Sequence, residues 1–241
     1  YDGVYSIVRD QPKLVPDYQF GMTEIINGSL KVQYITQDQW ADDSVEVSYI
    51  DNGTGQPHTI NCALPGKTSL RPRKLKLEGV ASRQHAYREG MFEAARAEYR
   101  NRIVTYKTEL AGGLADFGSC VAISHVMSDW GISGEVQKSE VVAGNTVLTL
   151  SERVIFAAGE QHVIQLADIK NKPQGPYIVT AGANAHEVVI STADNAAIYT
   201  GFKRKRTGFQ FGVAEQQNMR FIMRNIAPEG GLQFTSSGEY D

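Results

Sequence analysis

Polar and apolar residues alternate with period two over much of the chain. Val45, Val47 and Tyr49 are separated by Glu46 and Ser48, and Val104, Tyr106, Thr108 and Leu110 by Thr105, Lys107 and Glu109. Such alternation puts successive side chains on opposite faces of a half-buried strand. Ile25-Ile26, Asn27-Gly28 and then Leu30 to Tyr34 read as a hairpin, with Asn-Gly supplying the two positive φ angles of a type I′ turn. The stretch Asp51-Asn52-Gly53-Thr54-Gly55-Gln56-Pro57 is all turn formers, and a partner strand is expected after it at 59–64, ending on Pro65-Gly66. Farther on, Ala111-Gly112-Gly113 turns the chain and Cys120-Val121-Ala122-Ile123 is a short apolar run. Further strands are expected at 135–142, 146–150, 162–166, 177–180, 187–191, 220–224 and 232–235. Gly, Asn or Pro falls between them, the spacing of barrels and sandwiches.

The period changes over 82–101. Tyr87, Met91, Phe92, Ala95 and Tyr99 fall on one stripe at helical spacing, with Arg88, Glu89, Glu93, Arg96 and Arg100 filling the rest. Ser82 is a suitable N-cap. Gly90 inside the helix costs about 1 kcal/mol against Ala, which points to close packing on its side. The stripe predicts an amphipathic helix docked on a sheet. The fold class is therefore mainly β with one amphipathic helix (α+β), in barrel- or sandwich-like domains. We expect a β-rich domain over 1–110 that includes the helix and a barrel or sandwich over 111–241. A weaker break is expected at Lys170-Asn171-Lys172-Pro173-Gln174-Gly175-Pro176.

Composition narrows the function classes. The 241 residues are 41% hydrophobic and 21% charged, a globular balance. A net charge of −3 gives no general case for binding nucleic acid or an anionic membrane. No stretch approaches the roughly 18 apolar residues of a spanning helix. The start, Tyr1-Asp2-Gly3-Val4, has neither an initiator Met nor a signal-like run, so the chain reads as a piece of something longer. Cys62 and Cys120 have no metal spacing; a reduced compartment fits them, and a disulfide stays open.

The search for chemistry is negative. His58, His85, His125, His162 and His186 each lack a second ligand at metal spacing. His186-Glu187 begins like a zinc-protease helix, but Ile190 stands where a second His is needed. Gly131-Ile132-Ser133-Gly134 lacks the GxSxG spacing of a nucleophile elbow. Gly53-Thr54-Gly55 lacks the third glycine and the helix of a phosphate cradle. Asp42-Asp43 and Glu140 read as solvated surface rather than an acid pair. Asn27-Gly28-Ser29 and Asn52-Gly53-Thr54 match the glycosylation sequon but are explained as turns. We expect no enzyme, no cofactor and no metal. The one charge run, Lys203-Arg204-Lys205-Arg206, is framed by Gly201-Phe202 and Thr207-Gly208 as a loop tip. It reads as solvated, as an inter-subunit contact or, least of all, as a phosphate contact.

Three ordered blocks carry a resemblance. The first runs from Ala81-Ser82-Arg83-Gln84-His85 through Ala94-Ala95-Arg96-Ala97-Glu98-Tyr99 into Val104-Thr105-Tyr106-Lys107-Thr108. The second is Ala115-Asp116-Phe117-Gly118, then Ser124-His125, then Asp129-Trp130-Gly131-Ile132-Ser133-Gly134. The third is Phe209-Gln210-Phe211-Gly212, then 222–226, then a closing Glu239-Tyr240-Asp241. In order and rough spacing the set resembles the hub portion of lambda-like phage tail-tip (tip attachment, host-specificity) proteins. The resemblance implies a homotrimeric hub of β-rich domains at the virion tail tip. Its expected partners are its own copies, distal-tail or tail-tube proteins, the tape measure protein, and genome DNA passing through a channel without sequence-specific contact. Receptor choice is expected elsewhere. The readings set against it are a carbohydrate-binding β-module, for which Trp40 and Trp130 are the rings of interest, and a cell-wall or polysaccharide hydrolase.

Overall fold

A computed structural model of the chain describes residues 13, 15–35, 42–190, 197–214 and 216–241. The chain is mainly β with one long helix. Fifteen strands are described: β1 (Tyr18–Phe20), β2 (Lys31–Tyr34), β3 (Ser44–Ile50), β4 (Pro57–Cys62), β5 (Pro72–Lys76), β6 (Arg102–Thr108), β7 (Cys120–Ile123) and β8 (Ile132–Val142), then β9 (Asn145–Leu150), β10 (His162–Ala167), β11 (Pro173–Ala181), β12 (Glu187–Ile190), β13 (Gly208–Val213), β14 (Met219–Glu229) and β15 (Gln233–Tyr240). Helix α1 (Arg83–Tyr99) lies between β5 and β6.

Two compact units result. A body comprises the chain up to Val32 and from Val104 onward, and an insert comprises Gln33–Ile103. This division differs from a cut at 110/111. β6 returns to a sheet with the order β1-β7-β14-β15-β6-β2, so residues 104–110 share a core with residues a hundred positions later. Local patterning carries no sign of such non-local pairing. The break expected at 170–176 is instead the tight turn and start of the β10–β11 hairpin, within one barrel.

Body and insert are built differently. In the body, β10-β11-β12-β9-β8-β13 close into a barrel. Val136, Leu148, Leu150, Ile164, Leu166, Val188, Phe209 and Phe211 fill its interior. Six strands enclose too little space for a lumen, and side chains occupy it. The six-stranded sheet holds a second core around Phe20, Tyr106, Val121, Ile123, Trp130, Phe221 and Met223. In the insert, β4-β3-β5 form a three-stranded sheet whose Val45, Val47, Tyr49 and Cys62 meet α1.

Helix α1 starts where expected, with Ser82 Oγ accepting the His85 amide at 3.2 Å. Its buried face is not the expected one. Ala86, Gly90 and Ala94 are buried, whereas Tyr87, Phe92 and Tyr99 are exposed. A Cβ on Gly90 would stand 2.5 Å from Cys62 Sγ and 2.6 Å from Val47 Cγ2. The helix thus lies against the sheet at a distance only small residues permit. Asn27-Gly28 also differs from the I′ hairpin: only Gly28 has positive φ (75°), and the Ser29 amide bonds to Ile26 O at 3.0 Å. That is the type II requirement, and Ile25 bridges Thr108 rather than a hairpin partner.

Candidate assembly surface

The barrel is fixed to the six-stranded sheet by buried amides. Gln210 Nε2 donates to the carbonyl oxygens of Phe20 (3.1 Å) and Ala122 (3.3 Å). Asn218 Nδ2 donates to Gln210 Oε1 (2.8 Å) and Gln165 Oε1 (2.9 Å). Ser133 Oγ donates to Ser124 O (3.1 Å) and accepts the Met22 amide (2.9 Å). That serine is buried in strand β8, so its hydroxyl ties two segments together and is no exposed nucleophile. Buried amides that satisfy one another in this way hold one arrangement, because any slip leaves donors unpaired in a dry site. Trp130, with its ring 5.5 Å from Phe221, is buried beside them. It offers no platform to a sugar; Trp40 lies outside the described residues.

The run Lys203-Arg204-Lys205-Arg206 lies in the loop before β13 and is not four equivalent cations. Tyr199 and Thr207 close the loop base, the Tyr199 amide donating to Thr207 Oγ1 (2.8 Å) and the Thr207 amide to Tyr199 O (2.9 Å). Lys205 turns inward, to the carboxylate of Glu24 and to Asn171 Oδ1. Glu24 itself caps the Gly21 amide (2.7 Å), so Lys205 joins the β1–β2 connection to the β10–β11 turn. The Arg204 guanidinium lies 4.2 Å from the Tyr199 ring centroid, and Arg206 lies 4.6 Å from that of Phe202. Cations stack in this way on ring faces. Phe202 is itself 93% exposed. Lys203 and Arg204 are exposed and make no ion pair among the described residues. Only part of the run therefore faces outward, as a ring with cations on it.

At the other end of β13 lies a recess of about 710 Å³, with Met22, Val126, Ile132 and Ile155 on its walls and Asp129, Glu152 and Arg153 at its rim. Met22, Val126 and Ile155 are 44%, 56% and 70% exposed, apolar surface that a loop does not ordinarily show. Sequence reading missed this recess. The available signal was the apolar pairs Val126-Met127 and Val154-Ile155 standing outside any strand pattern.

The remaining candidates have structural roles. Among the described residues no group of three His, Cys, Asp or Glu could hold a metal. His162 is buried, stacked on Phe211 (5.4 Å), and its Nε2 accepts the Ala157 amide at 3.1 Å. His125 Nδ1 accepts the Met127 amide, and burial pushes its pKa down. Glu187, after His186, opens strand β12. Glu140 pairs with Lys138 at 2.7 Å. Asp43 ties down the 68–71 loop. Desolvation pushes its carboxyl up, but bonds from Thr68 Oγ1, the Arg71 and Leu70 amides and Ser44 Oγ outweigh that and hold it well below the usual range. Both cysteines are free and buried. Burial, then the Asp241 carboxylate, push the Cys120 thiol up to about 12, and burial raises Cys62. No helix among the described residues is long and apolar enough to cross a membrane. No protein-family model matches the chain, and no curated protein matches it.

Proposed function

We propose that the chain is a non-catalytic structural segment of a phage tail-tip hub. In this role it helps close the tail tube and carries receptor-binding parts. The observation that carries the proposal is where the residues of the resemblance meet. Two of the three blocks form the barrel-to-sheet junction. Phe209, Gln210 and Phe211 of the third pair with Gly134, Ser133 and Ile132 of the second, and Trp130 of the second packs on Phe221 beside the third. A resemblance confined to scattered surface positions would say little. One that coincides with the joint fixing two β layers fits a part whose work is to hold shape.

The packed barrel sharpens the proposal. A channel for DNA cannot run through one chain's barrel, so on this reading it lies between copies, with β walls around it. The test is a reconstruction of an intact tail tip containing the chain. Density for the body in a threefold ring on the tail axis supports the hub, and density on a side fibre rejects it. A second reading, a carbohydrate-binding β-module, draws on the exposed Tyr87, Phe92 and Tyr99 of α1. Glycan-array binding that is lost in Tyr87→Ala/Tyr99→Ala would favour it.

A further inference from the structure

The barrel carries opposite charge at its two ends. Where β13 begins, the 197–207 loop and the β10–β11 turn present Lys170, Lys172, Lys203 and Arg204, with Asp168, Asp116 and the half-buried Glu135 as the nearby acids. Where β13 finishes, about 17 Å away at the rise of a strand, Asp129, Glu152 and Glu160 stand against Arg153. Shape is opposed as well. The basic end holds out one ring, Phe202, 93% exposed, and the acidic end holds the apolar recess.

We propose that these ends dock head to tail between two copies of this chain. Phe202 of one copy enters the recess of the next, over Met22, Val126 and Ile155, and Lys203 and Arg204 face Asp129 and Glu152. An exposed ring with cations beside it and an apolar recess with acids at its rim are complementary in both shape and sign. Burying Phe202 would also desolvate the Arg206 guanidinium stacked on it, which strengthens that contact. The two patches are different surfaces of one molecule, so the contact is heterologous. Copies then add in one direction and either close a ring or run on as a fibre. Closure at three copies rests on the hub reading; the pairwise contact rests on the two ends alone.

The test uses the whole chain, followed by sedimentation velocity from micromolar to several hundred micromolar at low and high salt. The expected result is concentration-dependent association that weakens with salt and falls about tenfold or more in Phe202→Ser. Lys203→Glu/Arg204→Glu and Asp129→Asn/Glu152→Lys should each abolish association while thermal unfolding stays unchanged. Mixing these two double variants should restore it, because each supplies an end the other can use. A cross-link between Phe202→Cys of one copy and Ile155→Cys of another should form, the two native thiols being buried. A chain that stays monomeric throughout overturns the contact and leaves the hub reading to the tail-tip reconstruction. Association indifferent to all these variants also overturns it. So does binding of the monomer to vesicles of anionic phospholipid that Phe202→Ser removes, which would give the loop to a membrane surface.

Discussion

Body and insert solve the same packing problem with opposite means. The body fills space with large rings: Phe20 against Tyr106 (5.9 Å between centroids), Trp130 against Phe221 (5.5 Å) and Phe156 against Phe211 (5.1 Å). The insert closes on its sheet through Ala86, Gly90 and Ala94, which bring a helix backbone near Val47 and Cys62. Size does the work in one region, proximity in the other. Large apolar residues therefore mark the buried surface of the body but lie largely outside it on α1.

Substitutions that remove or add volume separate the two regimes. Phe209→Ala should have the largest effect, lowering the stability of the body by about 4 kcal/mol. Urea unfolding measures it, with amide exchange speeding in β10 and β13, the strands that pair there. Gly90→Leu should cost the insert about 3 kcal/mol through overpacking, despite a helix-propensity gain of up to about 1 kcal/mol. Amide exchange should quicken in β3, β4 and α1 and stay unchanged in the barrel strands; loss across the barrel as well would show the two cores to be one cooperative unit.

Smaller changes sharpen the contrast. The β8–β9 hairpin turns on Ala143-Gly144 with φ of 50° and 83°, the pair of positive angles that a type I′ turn needs. Ala143→Asn should stabilise the barrel by about 0.5–1 kcal/mol, read as a raised urea midpoint. In the insert, the Asp43 carboxyl is held below its ordinary 3.8. Its contribution is therefore intact above about pH 4 and fades as the pH falls below that. Protection of the Leu70 and Arg71 amides, taken relative to intrinsic exchange at each pH, should fall on acidification, and Asp43→Ala should remove it at every pH. Tyr99→Ala, on the exposed face of α1, should change stability by no more than about 0.5 kcal/mol. A loss near 3 kcal/mol would place the buried face where the apolar stripe suggests.

Period-two alternation was a sound guide where one face of a strand is buried, and short apolar runs marked β7 and β10, which are buried on both. β3, β6, β9, β10, β12 and the apolar β7 all lie at or close to the positions so marked. Patterning missed β1, which has three residues, β5, where Pro72-Arg73-Lys74 shows no apolar alternation, and β13, although Phe209, Phe211 and Val213 alternate there with Gln210 and Gly212. That glutamine is buried because its amide is satisfied by Phe20 and Ala122, both remote in sequence, and by Asn218, eight residues on. The Asn27-Gly28 turn was legible as a turn and not by type. The type follows from what the flanking strands pair with, and β2 is the sheet neighbour of β6. The cation run was visible as a loop tip. Its division into inward Lys205 and outward Lys203 and Arg204 was not, because Glu24, Asn171 and Tyr199 make that division. The recess was the least legible feature, being assembled from four separate connections that only the folded body brings together.

The chain leaves the body on β2 and comes back on β6, neighbours in the sheet, and just beyond them the Ile35 amide still reaches Asn101 O at 2.7 Å. The insert Gln33–Ile103, 71 residues, is thus hung from two points a hydrogen bond apart. Such a place tolerates replacement: a short turn from Val32 to Val104 would preserve the pairing of β2 with β6, because the cost of closing a loop there grows only slowly with the loop's length.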